Sequence, residues 1–111
     1  DWAIVPPSVD GEKESSYHIY ALRIKNFTEE QRDRMIDEIA KAEVAVNVHF
    51  IPMPMLSFFK SLGYDIKNYP QAYENFKGEI SLPIYPQLDE EQLNFIINVV
   101  KAAYITVAGT E

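Results

Sequence analysis

One residue in this sequence stands where chemistry could occur. From Val44 to Phe50 the chain alternates Val44, Val46, Val48 and Phe50 with Ala45, Asn47 and His49, which on a strand puts Asn47 and His49 on one polar side. An imidazole there, just ahead of a loop containing Pro52 and Pro54, could hydrogen-bond a ligand or carry a proton. A lone histidine is also commonly a structural hydrogen-bonding group, and the sequence leaves both roles open. The second histidine, His18, is remote in sequence and there is no cysteine. A zinc site would need carboxylates gathered by the fold, so none is expected.

Other chemistries fare worse. Ser15, Ser16, Ser57 and Ser81 lie in no strand-turn-helix setting that would expose and activate a nucleophile. The four glycines, Gly11, Gly63, Gly78 and Gly109, are too dispersed for a phosphate-cradling loop. The neighbouring acids Glu29-Glu30 and Asp89-Glu90-Glu91 fall in first helical turns, where the helix dipole favours them, and read as solvated helix starts. Met53, Met55, Leu56, Phe58 and Phe59 could line a pocket or a partner surface, with core packing as the plainer expectation.

The elements that must position these groups follow from pattern. Asp1 to Ser16 reads as a lead-in, with a short strand at Trp2 to Val5 and a turn at Asp10-Gly11. Tyr17 to Lys25 alternates as a strand central to a sheet. Thr28 with Gln31 forms a capping-box pattern opening a helix whose stripe is Met35, Ile36, Ile39 and Ala40, leaving Arg32 and its charged neighbours to water. A strand over Val44 to Phe50, a short helix from Met55 to Leu62 stopped by Gly63, a loop to Tyr69 and a helix opened by Pro70 come next. Glu79 to Tyr85 reads as an edge strand with Ile80, Leu82 and Ile84 inward. Asp89 with Gln92 caps a last helix bearing Leu93, Ile96, Ile97, Val100 and Tyr104, and Ile105 to Glu111 is expected to fray. The sum is an α/β (α+β) two-layer sandwich, a small sheet of about three strands with helices on one face. Tyr17, Ile19, Ala21, Asn47 and His49 would share the other face, a mixed surface suited to another domain.

Composition bounds the function. With 111 residues, 47% hydrophobic, the chain has material for one core,. A formal net charge of −7 without any basic run argues against nucleic-acid binding. No apolar stretch approaches the ~20 residues of a membrane span, and the start lacks a signal-peptide pattern. The absence of cysteine fits a reducing compartment, so a cytoplasmic location is expected.

Taken in order, Tyr17-His18-Ile19-Tyr20, the capped helix, Asn47-Val48-His49-Phe50-Ile51-Pro52, Leu62-Gly63-Tyr64, Tyr69-Pro70 with Ala72, and Ser81-Leu82-Pro83-Ile84-Tyr85-Pro86 before Asp89-Glu90-Glu91 resemble the C-terminal small domain of the DegT/DnrJ/StrS family of sugar aminotransferases. The resemblance covers about Ser16 to Tyr104 and divides the chain into a lead-in (1–16), that domain (17–104) and a tail (105–111). It implies the small-domain fold of fold type I aminotransferases and a full-length enzyme that uses pyridoxal phosphate to move an amino group onto a nucleotide-linked keto sugar in amino-sugar biosynthesis. It further implies a homodimer and an N-terminal large domain that carries the cofactor. On it, His49 with Asn47, Phe50 and Pro52 would be contacts on the substrate side.

Lys25-Asn26 and Lys67-Asn68 superficially match the Lys-Asn pair of the family's cofactor motif. Neither has the preceding Ser-Phe and Thr or Ser context, so both read as surface lysines. The chain alone is therefore expected to bind no cofactor and to be inactive. Two departures, Pro54-Met55 where many relatives have a histidine and Glu43 where relatives often have glycine, concern substrate specificity and a turn. The alternative to this reading is a free-standing, non-catalytic binding or interaction module of the same fold.

Overall fold

The computed structural model describes residues 1–109. Along the chain run β1 (Ala3–Ile4), β2 (Val9–Asp10), β3 (Lys13–Glu14), β4 (Tyr20–Ile24), α1 (Glu29–Lys41), α2 (Ser57–Ser61), α3 (Pro70–Lys77), β5 (Glu79–Leu82) and α4 (Glu90–Ala108). One-turn 3-10 helices at Met53–Met55 and Ile66–Asn68 punctuate the middle. The main sheet is antiparallel in the order β1-β4-β5, so β4 is central as its alternation predicts. Its register pairs Ala3 with Ile24 on one side, and Ala21 with Ser81 and Arg23 with Glu79 on the other. A separate ribbon, β2-β3, turns through Gly11 at φ +62°.

The pleat sorts residues between two faces. Leu22, Ile24 and Ile80 meet Met35 and Ile39 of α1 and Ile96, Val100, Ala103 and Val107 of α4 in one core. This is the two-layer arrangement that the patterning implies. Both helices start at complete capping boxes. Thr28 Oγ1 accepts from the Gln31 amide at 3.2 Å while the Gln31 side chain accepts from the Thr28 amide at 2.8 Å, and Asp89 and Gln92 do the same at 2.7 and 3.1 Å,. Gly63, at φ +95°, ends α2 in the left-handed conformation that favours glycine,.

Several expectations are corrected. The strand expected over Val44 to Phe50 is reduced to one bridge, Asn47 with Ser81. Beyond it, side chains intercept the backbone donors: Asn47 Oδ1 accepts from the Val48 amide at 2.8 Å and Glu79 Oε2 from the His49 amide at 3.0 Å,. Phe50, expected on the greasy face, is exposed. The first long strand begins only at Tyr20; Tyr17 is left-handed at φ +51° and, expected on the face of Asn47 and His49, instead borders a cleft with Ile96 and Ile97 of α4,. β5 stops at Leu82, since Pro83 brings no amide for the ladder, and Ile84 is exposed rather than inward,.

The helix expected over Met55 to Leu62 splits at Leu56, which is extended, into a 3-10 turn and α2. Met53 and Phe58 are exposed and Met55, Leu56 and Phe59 half-buried, so the cluster stands outside the buried core. The last helix runs to Ala108 instead of fraying after Tyr104, because its buried stripe is Ile96, Val100, Ala103 and Val107, and Val107 is core. Leu93 and Ile97, expected on that stripe, are exposed. Thr110 and Glu111 of the expected tail lie outside the described residues. Arg32, expected in water, is buried.

Candidate functional site

His49 is held by residues that converge from β5. The start of that strand is fixed from below by Arg32 on α1, whose Nη1 donates to the carbonyls of Phe76 at 2.9 Å and Glu79 at 3.2 Å. It is fixed from the side by Gly78, whose carbonyl accepts from the Ile24 amide at 2.8 Å. A Cβ on Gly78 would stand 2.6 Å from the Ile24 carbonyl oxygen, so only glycine permits this approach,.

With the strand so placed, Ile80 points into the core and Glu79 and Ser81 point to the opposite face. The Asn47–Ser81 bridge sets the neighbouring segment in register. Asn47 then lies beside Ser81, and His49 beside Glu79. Ser81 Oγ lies 2.8 Å from His49 Nδ1 and donates to Glu79 Oε1 at 2.5 Å. Glu79 Oε2 accepts the His49 backbone amide at 3.0 Å. Glu79 and Ser81 are 4% and 5% exposed. The imidazole is thus fastened through both its ring and its backbone to a buried carboxylate and hydroxyl. The His49–Phe50 peptide bond is cis.

His49 forms a wall shared by two open clefts. One, of roughly 430 Å³, also takes in Arg23, Phe50, Pro52, Asn75 and Glu79. Within it Arg23 Nη1 donates to Asn75 Oδ1 at 2.5 Å. The other, of roughly 320 Å³, is bordered by His18, Asn47, Ser81 and Ile84. His49, Phe50 and Pro52 therefore come together in one cleft, while Asn47 lies in the adjoining one. A larger cleft of roughly 500 Å³ between Val44, Pro83, Leu88 and Phe95 contains no histidine, lysine or arginine. Among the described residues no group of three or more His, Cys, Asp and Glu side chains could hold a metal ion.

Sequence reasoning misses Glu79 and Ser81. The signal was present: in Glu79-Ile80-Ser81-Leu82 the apolar residues alternate with two polar ones, placing both on the face that His49 shares. Arg23 and Asn75 carried no signal in the local pattern, since their meeting depends on how α3 lies against β4.

The arrangement suits recognition of a polar ligand by an oriented imidazole at a sheet edge. Comparison with known proteins places the chain more closely. It superposes on Spr1654 of Streptococcus pneumoniae, described as a sugar aminotransferase, with a TM-score of 0.94 and 37% identity over 98% of this chain and 27% of that one. The PLP form of the same protein gives 0.91 and 38% over 96% and 27%. A protein of Methanocaldococcus jannaschii, MJ1066, is 31% identical over 88% of this chain and 26% of its own length. A UDP-4-amino-4,6-dideoxy-N-acetyl-beta-L-altrosamine transaminase of Campylobacter jejuni is 29% identical over 76% of this chain and 22% of its own length. The chain thus spans about a quarter of the length of the proteins it matches. The profile of one family covers residues 2–101, and the chain belongs to that family, the DegT/DnrJ/EryC1/StrS aminotransferases.

Proposed function

We propose that this chain is the C-terminal small domain of a pyridoxal-phosphate-dependent aminotransferase acting on a nucleotide-linked keto sugar, and that it supplies the substrate-side wall around His49. The observation that carries this reading is the near-complete superposition on about a quarter of Spr1654 at 37% identity, combined with a built polar site around His49 on the sheet face opposite the core. His49, Phe50 and Pro52 would contact the sugar in one cleft and Asn47 would approach it from the other. The large domain covers the clefts on either side of His49, and two copies of the whole enzyme form the working dimer. A cytoplasmic location fits a sequence without cysteine,. No helix among the described residues is long and apolar enough to cross a membrane.

The cofactor itself does not fit the residues at this site. Among the described residues no lysine lines either cleft, and the carboxylate that does, Glu79, is taken up by Ser81 and His49. Lys25 is exposed just after β4, and Lys67 is exposed in a one-turn helix. Cofactor chemistry accordingly belongs to the large domain.

The test compares this chain with the full-length protein that contains it, each incubated with pyridoxal phosphate, glutamate and a panel of nucleotide-linked keto sugars. The full-length protein is expected to form an amino sugar, and the chain alone to form none and to bind no stoichiometric cofactor. Turnover by the chain alone, or a full-length protein that aminates none of the sugars, would refute the assignment.

A further inference from the structure

We propose that Glu79 and Ser81 are positioning residues that hold His49 in its Nδ1–H form, so that Nε2 accepts a hydrogen bond from a hydroxyl group of the sugar substrate. The substrate half of this inference rests on the function proposed above; the tautomer half does not.

Proton counting carries the tautomer. A serine hydroxyl has one hydrogen to give and lone pairs with which to accept, whereas an ionised carboxylate only accepts. The Glu79 carboxylate accepts at both oxygens, from Ser81 Oγ at Oε1 and from the His49 amide at Oε2. Ser81 has then spent its hydrogen on Glu79, and its 2.8 Å contact with His49 Nδ1 can form only if Nδ1 brings the proton. A neutral imidazole carries one ring proton, so Nε2 is left with its lone pair. No hydrogen bond among the described residues engages Nε2, and the ring borders both clefts.

Position follows from the same contacts. Glu79 and Ser81 are buried and pinned by strand pairing, by Arg32 and by the Gly78 approach, so the ring is aimed by groups that have little freedom themselves. This is the support that gives an exposed side chain a preorganised orientation. The role assigned to Glu79 is exerted through Ser81 and the His49 amide.

The tautomer is read directly by long-range proton–nitrogen correlation spectra of the chain labelled with nitrogen-15 in its imidazoles. The background is His18→Gln, so that His49 gives the only histidine signals. At a pH where the ring is neutral, the proton is expected on Nδ1. Ser81→Ala should abolish this preference and Ser81→Thr, which keeps a hydroxyl, should restore it. A proton on Nε2 in the Ser81 protein, or an unchanged Nδ1–H form in Ser81→Ala, would overturn the positioning role.

The substrate contact is read in the full-length enzyme. There Ser81→Ala should raise KM for the nucleotide sugar about tenfold while kcat changes less than about threefold, with recovery in Ser81→Thr. A tautomer that shifts as expected with KM unmoved would sink the hydroxyl contact while leaving the relay in place. A full-length enzyme that uses no sugar, with the tautomer as expected, would sink the proposed function alone.

Discussion

The guanidinium of Arg32 lies over the ring of Phe76, 4.8 Å from its centroid, while Nη1 of the same side chain donates to the Phe76 carbonyl at 2.9 Å. One residue of α1 thus holds both the last turn of α3 and, through the Glu79 carbonyl, the first residue of β5. The Asp33 carboxylate, 2.6 Å from Nε, completes its partners but is largely exposed and adds little,. Arg32 is the structural root of the His49 site.

Arg32→Ala is therefore expected to lower stability by about 2–4 kcal/mol, because it strands two carbonyls and removes the stacked cation. Arg32→Lys should recover less than half, since an ammonium cannot reproduce the planar fork over the ring. Urea denaturation checks both. A loss below about 0.5 kcal/mol for the alanine variant would show that the buried guanidinium is structurally idle.

Trp2 stacks on Tyr104 with ring centroids 4.1 Å apart and planes 7° from parallel, and Tyr104 also meets Phe27 at 5.6 Å. The segment read as a lead-in thereby closes one edge of the sheet and seals the late part of α4. Trp2→Ala should cost about 2 kcal/mol, or roughly 10 °C in Tm. As the chain has one tryptophan, its fluorescence in the unmutated protein should change together with the far-UV signal on heating. An early fluorescence transition separate from the main one would mean that β1 is not part of the cooperative unit.

Tyr73 gives a pH dependence. The Glu29 carboxylate, an acceptor for its phenol and a negative charge beside it, together with partial burial and the charge of Glu74 raises its pKa above the ordinary value of 10.0. The folded state holds this proton more tightly than the unfolded chain does. The stabilisation is present in full below the ordinary tyrosine pKa and is lost as pH climbs through the folded value. Spectrophotometric titration of the folded protein should show one late-ionising tyrosine that disappears in Tyr73→Phe and shifts back in Glu29→Gln. Unchanged curves in both variants would contradict the contact.

Much of this architecture was legible because local chemistry and tertiary packing agree. The Thr28 and Asp89 capping boxes, Pro70 at a helix start and Gly63 at a helix end mark boundaries through groups that satisfy their own backbone. The alternation in β4 matches its burial for the same reason. What was hidden depends on contacts remote in sequence. Asn47 and Glu79 capture backbone amides that a strand would otherwise use, so a correct alternation over Val44 to Phe50 yields one bridge rather than a strand. Arg32 is a surface residue by helical pattern and a buried one by tertiary structure, because the carbonyls of Phe76 and Glu79 meet it there. His49 was visible as a polar residue on an alternating segment, yet the residues that orient it lie 30 and 32 positions away.

The central claim is that His49 meets the sugar. It is tested most directly by His49→Gln in the full-length protein, with the half-reaction from glutamate and the half-reaction with the nucleotide sugar measured separately. The account predicts that kcat/KM for the sugar half-reaction falls about 10- to 100-fold, while the glutamate half-reaction falls several-fold less. Equal losses in the two half-reactions, or no loss with the sugar, would contradict it.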